Sequence, residues 1–246
     1  MIMKYIYDGS FEGLLTAVFE AYSIIENVNF STETEQVNFF EDIHVSTDLK
    51  KYNRVKNSII KNISKSFFND LVVVYHSDNL QKADVIAKCI KGVYKYGLSY
   101  LNSAKEEAVM YRGILKNFGS ENHDYKGLLR FREIQDGFLF AEFTPHNDIL
   151  KFITPHFLKR MPNEKFVIYD VSRKTAAFCM HGNCEFMEVE YIEAVDSARE
   201  MFFKSAWKKF YSAVGIDERK NKKLMVSNMP KKYWKYLPEK DIEKSD

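Results

Sequence analysis

The feature that most restricts this chain's fold is a change of period near Gly127. Upstream, apolar residues recur every three or four positions. Phe11, Leu14, Leu15, Val18, Phe19, Tyr22 and Ile25 form one stripe, and Leu49, Tyr52, Val55, Ile59, Ile60 and Ile63 form a second. Residues so spaced share one face of a helix, so both segments are predicted helices with one buried side. A third stripe runs through Ala83, Ile86, Ala87, Ile90, Val93 and Tyr94, opened by Asp78 and Gln81 at capping-box spacing. A fourth helix is expected over 103–118. Residues 4–7 and 43–45 read as short strands, and Asp8-Gly9-Ser10 as a turn and helix cap. Residues 27–34 read as polar loop, and 67–75 as either a strand or a buried helix.

Beyond Gly127 the pattern alternates. Residues 128–134 and 138–143 flank Asp136-Gly137, a hairpin signal. A helix follows from about Asn147, restarted or kinked at Pro155. A strand is expected over 166–171, then two more, 175–180 and 184–189, across His181-Gly182-Asn183. A long helix over 194–214 stops at Gly215. The expected class is α+β: an antiparallel sheet in the order β-β-α-β-β-β, packed with a mostly helical N-terminal half and followed by a basic C-terminal tail. Residues 1–126, 127–215 and 216–246 mark these three regions, expected to close into one compact unit.

Composition narrows the setting. With 46% hydrophobic and 28% charged residues, the chain is globular rather than disordered. No apolar run approaches the roughly 18–20 residues of a membrane span, and the opening MIMKYIYDGS has no secretory h-region. Three cysteines, an odd number, argue against a disulfide framework. The expected location is cytoplasmic and reducing. Charge is unevenly spread: Lys204 to Pro238 holds ten basic and two acidic residues, leaving that segment at +8 and the rest of the chain at −6. A basic end on an acidic body points to a polyanionic partner, for which nucleic acid is the usual case.

Chemical motifs are sparse. Cys179, His181 and Cys184 supply three possible ligands where structural zinc needs four, so they read as a hairpin turn with two ordinary cysteines; no metal and no cofactor is expected. No serine elbow, HExxH or glycine-rich phosphate loop occurs. His156 and Asp170 remain as the only acid–base candidates. Arg130, Arg132, Arg160 and Arg173 are half of the eight arginines and fall in or beside the sheet region. Arg130 and Arg132 share one face of their strand and suit a phosphate-binding strip or a solvated strand face. Asp170 and Arg173 flank a strand exit, where they could equally pin the turn. In the tail, Trp207, Phe210, Tyr211, Tyr233, Trp234 and Tyr236 interleave with lysines. This mixture suits single-stranded nucleic acid, cations following phosphates and rings stacking on bases; the alternative is that some of these rings are core or anchor the C-terminus.

Four stretches carry a resemblance: Tyr7-Asp8-Gly9-Ser10-Phe11-Glu12-Gly13-Leu14-Leu15; Arg130-Phe131-Arg132-Glu133 with Asp136-Gly137; His156-Phe157-x-x-Arg160 with Ile168-Tyr169-Asp170-x-x-Arg173; and Glu218-Arg219-Lys220-Asn221 with Met229-Pro230-Lys231-Lys232-Tyr233-Trp234-Lys235-Tyr236-Leu237-Pro238-Glu239. In this order they resemble a bacterial family of DNA-metabolism and DNA-repair proteins built on a conserved domain of unknown function. The resemblance implies a gene neighbour that is a radical-SAM protein, and a domain that elsewhere is fused to a uracil-DNA-glycosylase-like domain. It supplies no catalytic residues; His156, Arg160, Asp170, Arg173, Arg219 and Asn221 come over as candidates only. Cys89, Cys179 and Cys184 do not have the spacing of a radical-SAM cluster motif, so radical chemistry would belong to the partner. The expected function is a nucleic-acid-engaging accessory protein in DNA modification or repair, acting with that partner on nucleic acid, DNA above all, and not at a membrane. Its expected nucleic-acid contacts are Arg130, Arg132, Arg160, Arg173, Arg219, Lys220, Asn221, Lys222, Lys223, Lys231, Lys232, Tyr233 and Trp234. The alternatives are an enzyme acting on a damaged or modified base through His156 and Asp170, or a protein–protein adaptor.

Overall fold

The computed structural model describes residues 3–32, 42–214 and 222–237. The chain divides into two compact units, 1–120 and 121–246. In the first, β1 (Met3–Ile6) lies between β2 (Val28–Ser31) and β3 (Asp42–His44), both parallel to it. Parallel neighbours need a crossover, and α1 (Phe11–Ala21) provides the one between β1 and β2. Ser10 caps α1, its Oγ accepting the Gly13 N–H at 2.9 Å, while Asp8 accepts from both the Ser10 amide and its hydroxyl. The second Asp8 oxygen takes the Thr47 hydroxyl at 2.6 Å, joining the loop after β1 to the loop after β3. A Cβ at Gly13 would overlap the Asp8 carboxylate and crowd Thr47, which is why this cap takes glycine there.

Helices α2 (Leu49–Asn62), α3 (Lys65–Tyr75) and α4 (Lys82–Tyr96) follow, and α5 (Glu106–Leu128) contains the division between the units. The predicted stripes supply the first core: Leu14, Leu15, Ile25, Ile59 and Ile86 are fully buried. Two expectations change here, and an open alternative is decided. Residues 27–34 contain β2 rather than only loop, because Val28 and Phe30 point inward around an exposed Asn29 and Asp84 accepts the Phe30 amide at 2.8 Å. The ambiguous stretch 67–75 is helical, capped by Ser64. The α4 N-cap is Gln81, whose side chain makes no capping bond; Asn79 Oδ1 accepts its amide instead.

The second unit holds a five-stranded sheet in the order β4 (Arg132–Glu133), β5 (Leu139–Phe143), β6 (Phe166–Asp170), β7 (Thr175–Met180) and β8 (Asn183–Glu188). The sheet is mixed, which corrects the all-antiparallel expectation: β5 and β6 run parallel, with Leu139 opposite Phe166. The cause is α6 (Leu150–Arg160), which carries the chain back so that β6 starts beside the start of β5. Pro155 lies inside α6 without ending it. The expected 128–134 strand is reduced to Arg132–Glu133, and α5 takes its first residue, Leu128.

The β7–β8 turn has His181 at φ 51° and Gly182 at φ 78°. Left-handed values at both central residues give the twist that a two-residue hairpin needs. That register sets Cys179 opposite Cys184, and the two form a disulfide with Cα atoms 4.1 Å apart. The expectation of two ordinary thiols is therefore corrected; the remaining cysteine, Cys89, is buried in α4, and burial pushes its thiol up to about 12. Helix α7 (Ala198–Val214), a short α8 (Lys222–Asn228) and a 3-10 turn at Lys231–Tyr236 complete the described chain. Among the described residues, no helix is long and apolar enough to cross a membrane.

Candidate nucleic-acid interface

In the second unit, one cavity of about 230 Å³ gathers residues from four separate parts of the chain. Arg130, Phe131 and Arg132 come from the entry to β4, Glu142 from β5, Glu200 and Lys204 from α7, and Lys235, Tyr236 and Leu237 from the tail. The walls are held by Asp196. Its two oxygens take Arg132 and Lys204, each at 2.5 Å, and Arg132 also donates to the Ala194 carbonyl. Burial pushes the Asp196 carboxyl up, but the Lys204 and Arg132 hydrogen bonds outweigh it and hold the group below the usual aspartate range. The Arg132 guanidinium also lies 5.0 Å above the Phe140 ring.

Arg130 is oriented differently. It donates to the carbonyls of Gly127 and Leu129 at the C-terminal end of α5, where a cation complements the helix dipole. Lys235 sits over the Tyr236 ring at 5.1 Å. The cavity's two acids are Glu142 and Glu200, and Glu200 accepts the Glu133 amide at 3.0 Å. The Tyr236 hydroxyl is buried and has no hydrogen-bond partner. Four cations and two carboxylates thus line one concavity; Asp196 holds Arg132 and Lys204, while Arg130 bonds only backbone carbonyls among the described residues. Such a mouth can take an oxyanion by charge-assisted hydrogen bonds.

The acid–base candidates have other surroundings. Asp170 is fully buried at the end of β6; one oxygen accepts the Ser172 and Arg173 amides, and the other accepts Arg173 Nη1 at 3.0 Å. Burial pushes its carboxyl up against the pull of those partners. Arg173 continues to the carbonyls of Pro145 and His146, tying the strand exit to the loop before α6. His156 lies on α6 with its ring edge-on to Phe157 at 5.0 Å and its Nε2 buried without a partner. Burial, then the charges of Lys126 and Arg160, hold its pKa down. Arg160 is exposed at the end of α6.

The tail splits by role. Lys232 bonds Glu121 at 3.1 Å and also lies over the Tyr233 ring. Tyr233 is 3% exposed, donates to Asp124 at 3.1 Å and packs edge-on against Tyr125 at 4.8 Å. Trp234 donates its indole N–H to the Met229 carbonyl. Lys223 and Lys231 are exposed. Lys222 begins α8, while Arg219, Lys220 and Asn221 lie outside the described residues.

Sequence reasoning missed Glu121 altogether. This buried acid accepts the His146 and Asn147 amides, the Asn147 side chain and Lys232. Burial raises its carboxyl, but those hydrogen bonds prevail and hold it below the usual glutamate range. No local pattern marks it, since its partners lie 25 to 111 positions away. Glu142 and Glu200 were missed as well. Alternation in β5 could have placed Glu142 outward between Ala141 and Phe143, and helical spacing pairs Glu200 with Lys204.

Fold and cavity together define an α+β protein whose second unit carries a cation-lined concavity closed by its own tail. The chain belongs to the family of a domain of unknown function, DUF4130, whose model matches residues 80–239. No curated protein matches it.

Proposed function

We propose that this protein is a nucleic-acid-engaging accessory component of DNA modification or repair, working with a radical-SAM partner. The observation that carries the reading is the cavity where Arg130 and Arg132, at the sheet entry, meet Lys204 of α7 and Lys235 of the tail. Phosphate is the anion that such forks and ammonium groups suit, and phosphate contacts position a protein on nucleic acid. Arg160, Lys223 and Lys231 are exposed and, with Arg219, Lys220, Asn221 and Lys222, belong to the same proposal. The partner and the repair setting rest on the family resemblance. An enzyme using His156 and Asp170 draws less support, because both Asp170 oxygens are already engaged.

The test is the salt dependence of binding to a labelled DNA oligonucleotide. Each phosphate contact contributes about 0.7–0.9 to the slope of log affinity against log salt. Arg130→Glu and Lys235→Glu should each weaken binding and lower that slope by about one contact. Absence of binding at low salt, or an affinity indifferent to salt, would overturn the reading in favour of a protein–protein adaptor.

A further inference from the structure

Helix α7 half-buries charged side chains and leaves large aromatic ones exposed. Among the residues of α7 whose burial is described, Glu200, Lys204 and Lys208, four positions apart, are the half-buried ones, and the first two line the cavity. Phe203, Trp207 and Phe210, at i, i+4 and i+7, are 52%, 46% and 58% exposed, and Phe202 is 68% exposed. The Trp207 and Phe210 rings lie 5.8 Å apart at 31°, and Phe202 and Phe203 lie 5.8 Å apart at 71°. Arg199 stands 5.6 Å over the Phe203 ring. Burying each such side chain is worth about 1.5–3 kcal/mol, so a contiguous group turned outward marks an interaction surface.

Charge selects the occupant. The helix carries Arg199, Lys204, Lys208 and Lys209 against a single carboxylate, Glu200, and its cavity side continues the cations of the proposed phosphate site. Cations and rings are interspersed along the helix, about 1.5 Å of rise per residue, and a nucleic-acid strand likewise presents phosphates beside bases along its length. In a duplex each base face is covered by its neighbours and must be unstacked at a cost before a ring can reach it, so rings of this kind favour unpaired bases.

We propose that α7 binds single-stranded nucleic acid, unpaired bases stacking on Phe203, Trp207 and Phe210 while Arg199, Lys208 and Lys209 follow the phosphates. This rests on the polyanion reading above and narrows it to a substrate class.

Trp207 and Trp234 are the chain's two tryptophans, so Trp234→Phe leaves Trp207 as the sole reporter; anisotropy of a labelled oligonucleotide with the unaltered chain needs no variant. A single-stranded oligonucleotide should quench Trp207, and its duplex should bind at least tenfold more weakly. Phe203→Ala and Trp207→Ala should each weaken single-strand binding by about 5- to 150-fold, with the salt slope unchanged. Equal affinity for single strand and duplex, with both alanine variants neutral and the slope intact, would overturn this inference and leave the phosphate site standing. Binding of neither form would overturn both. Quenching by phosphatidylglycerol vesicles but not by oligonucleotide would overturn it in favour of a lipid surface. A Trp207 shift that follows protein concentration alone would overturn it in favour of self-association.

Discussion

Helix α7 and the turn at Lys231–Tyr236 are both made of lysines and aromatic residues, and they dispose of them in opposite ways. In the turn, Tyr233 goes inward against Tyr125 with its hydroxyl on Asp124, and Lys232 reaches Glu121. In α7, the phenylalanines and Trp207 stay outward while Lys204 is tied to Asp196. Composition alone therefore says little about which aromatic–lysine segment recognises a ligand. The turn builds these groups into the fold, and α7 leaves its rings at the surface.

The comparison is most exposed at Tyr233. Tyr233→Ala should cost about 3–5 kcal/mol, as for other buried aromatic truncations, read as a lower denaturant midpoint with the slope retained. A loss under 1 kcal/mol would break the contrast from the tail's side.

Glu121 gives the next largest effect. Removing one member of a buried charged pair costs about 3 kcal/mol or more, so Glu121→Ala should destabilise the chain by roughly that amount, somewhat less because Lys232 is partly exposed. Glu121 is held below its unfolded value near 4.3. Its contribution is therefore complete above that pH and disappears as pH falls through the lower folded value. Denaturant midpoints measured from pH 7 down to pH 3 should fall for the native chain and fall less for Glu121→Gln.

These two residues also mark what the sequence could disclose. The stripes through Leu14, Ile59 and Ile86 identify core faces because helical geometry repeats locally. Asp136-Gly137 and His181-Gly182 identify turns because left-handed backbone favours few residues. The direction of β6 against β5 is a property of the crossover rather than of either strand's alternation, so it was misread. The β2 strand was hidden by the polar Asn29 and Ser31 on either side of Phe30. In the candidate site, Arg130 and Arg132 were legible as neighbours on a strand. Their meeting with Lys235, about a hundred positions away, depends on tail docking through Tyr233 and Glu121. The outward turn of Trp207 was left open in the sequence, since a ring at helical spacing suits core and ligand equally.

The smallest effect is expected on α7. Phe210→Ala should change stability by no more than about 0.5 kcal/mol, as for exposed positions, even where Phe203→Ala and Trp207→Ala impair oligonucleotide binding. Thermal melts without ligand check this. A loss approaching that of Tyr233→Ala would place α7's aromatics in the core and end the distinction.

The order of the second sheet has a consequence for how copies of this chain tolerate one another. Among the described residues β8 pairs only with β7, so its outer row of backbone amides and carbonyls is a template on which a foreign strand could grow. Phe186 and Met187 in the middle of that strand are each 43% exposed, which would make the template adhesive. Glu185 and Glu188 flank them, exposed on the same strand. Repulsion between like carboxylates makes edge-to-edge accretion unfavourable. Two glutamates so placed would meet the same pair on a second copy, a cost that no contact within a single molecule would reveal.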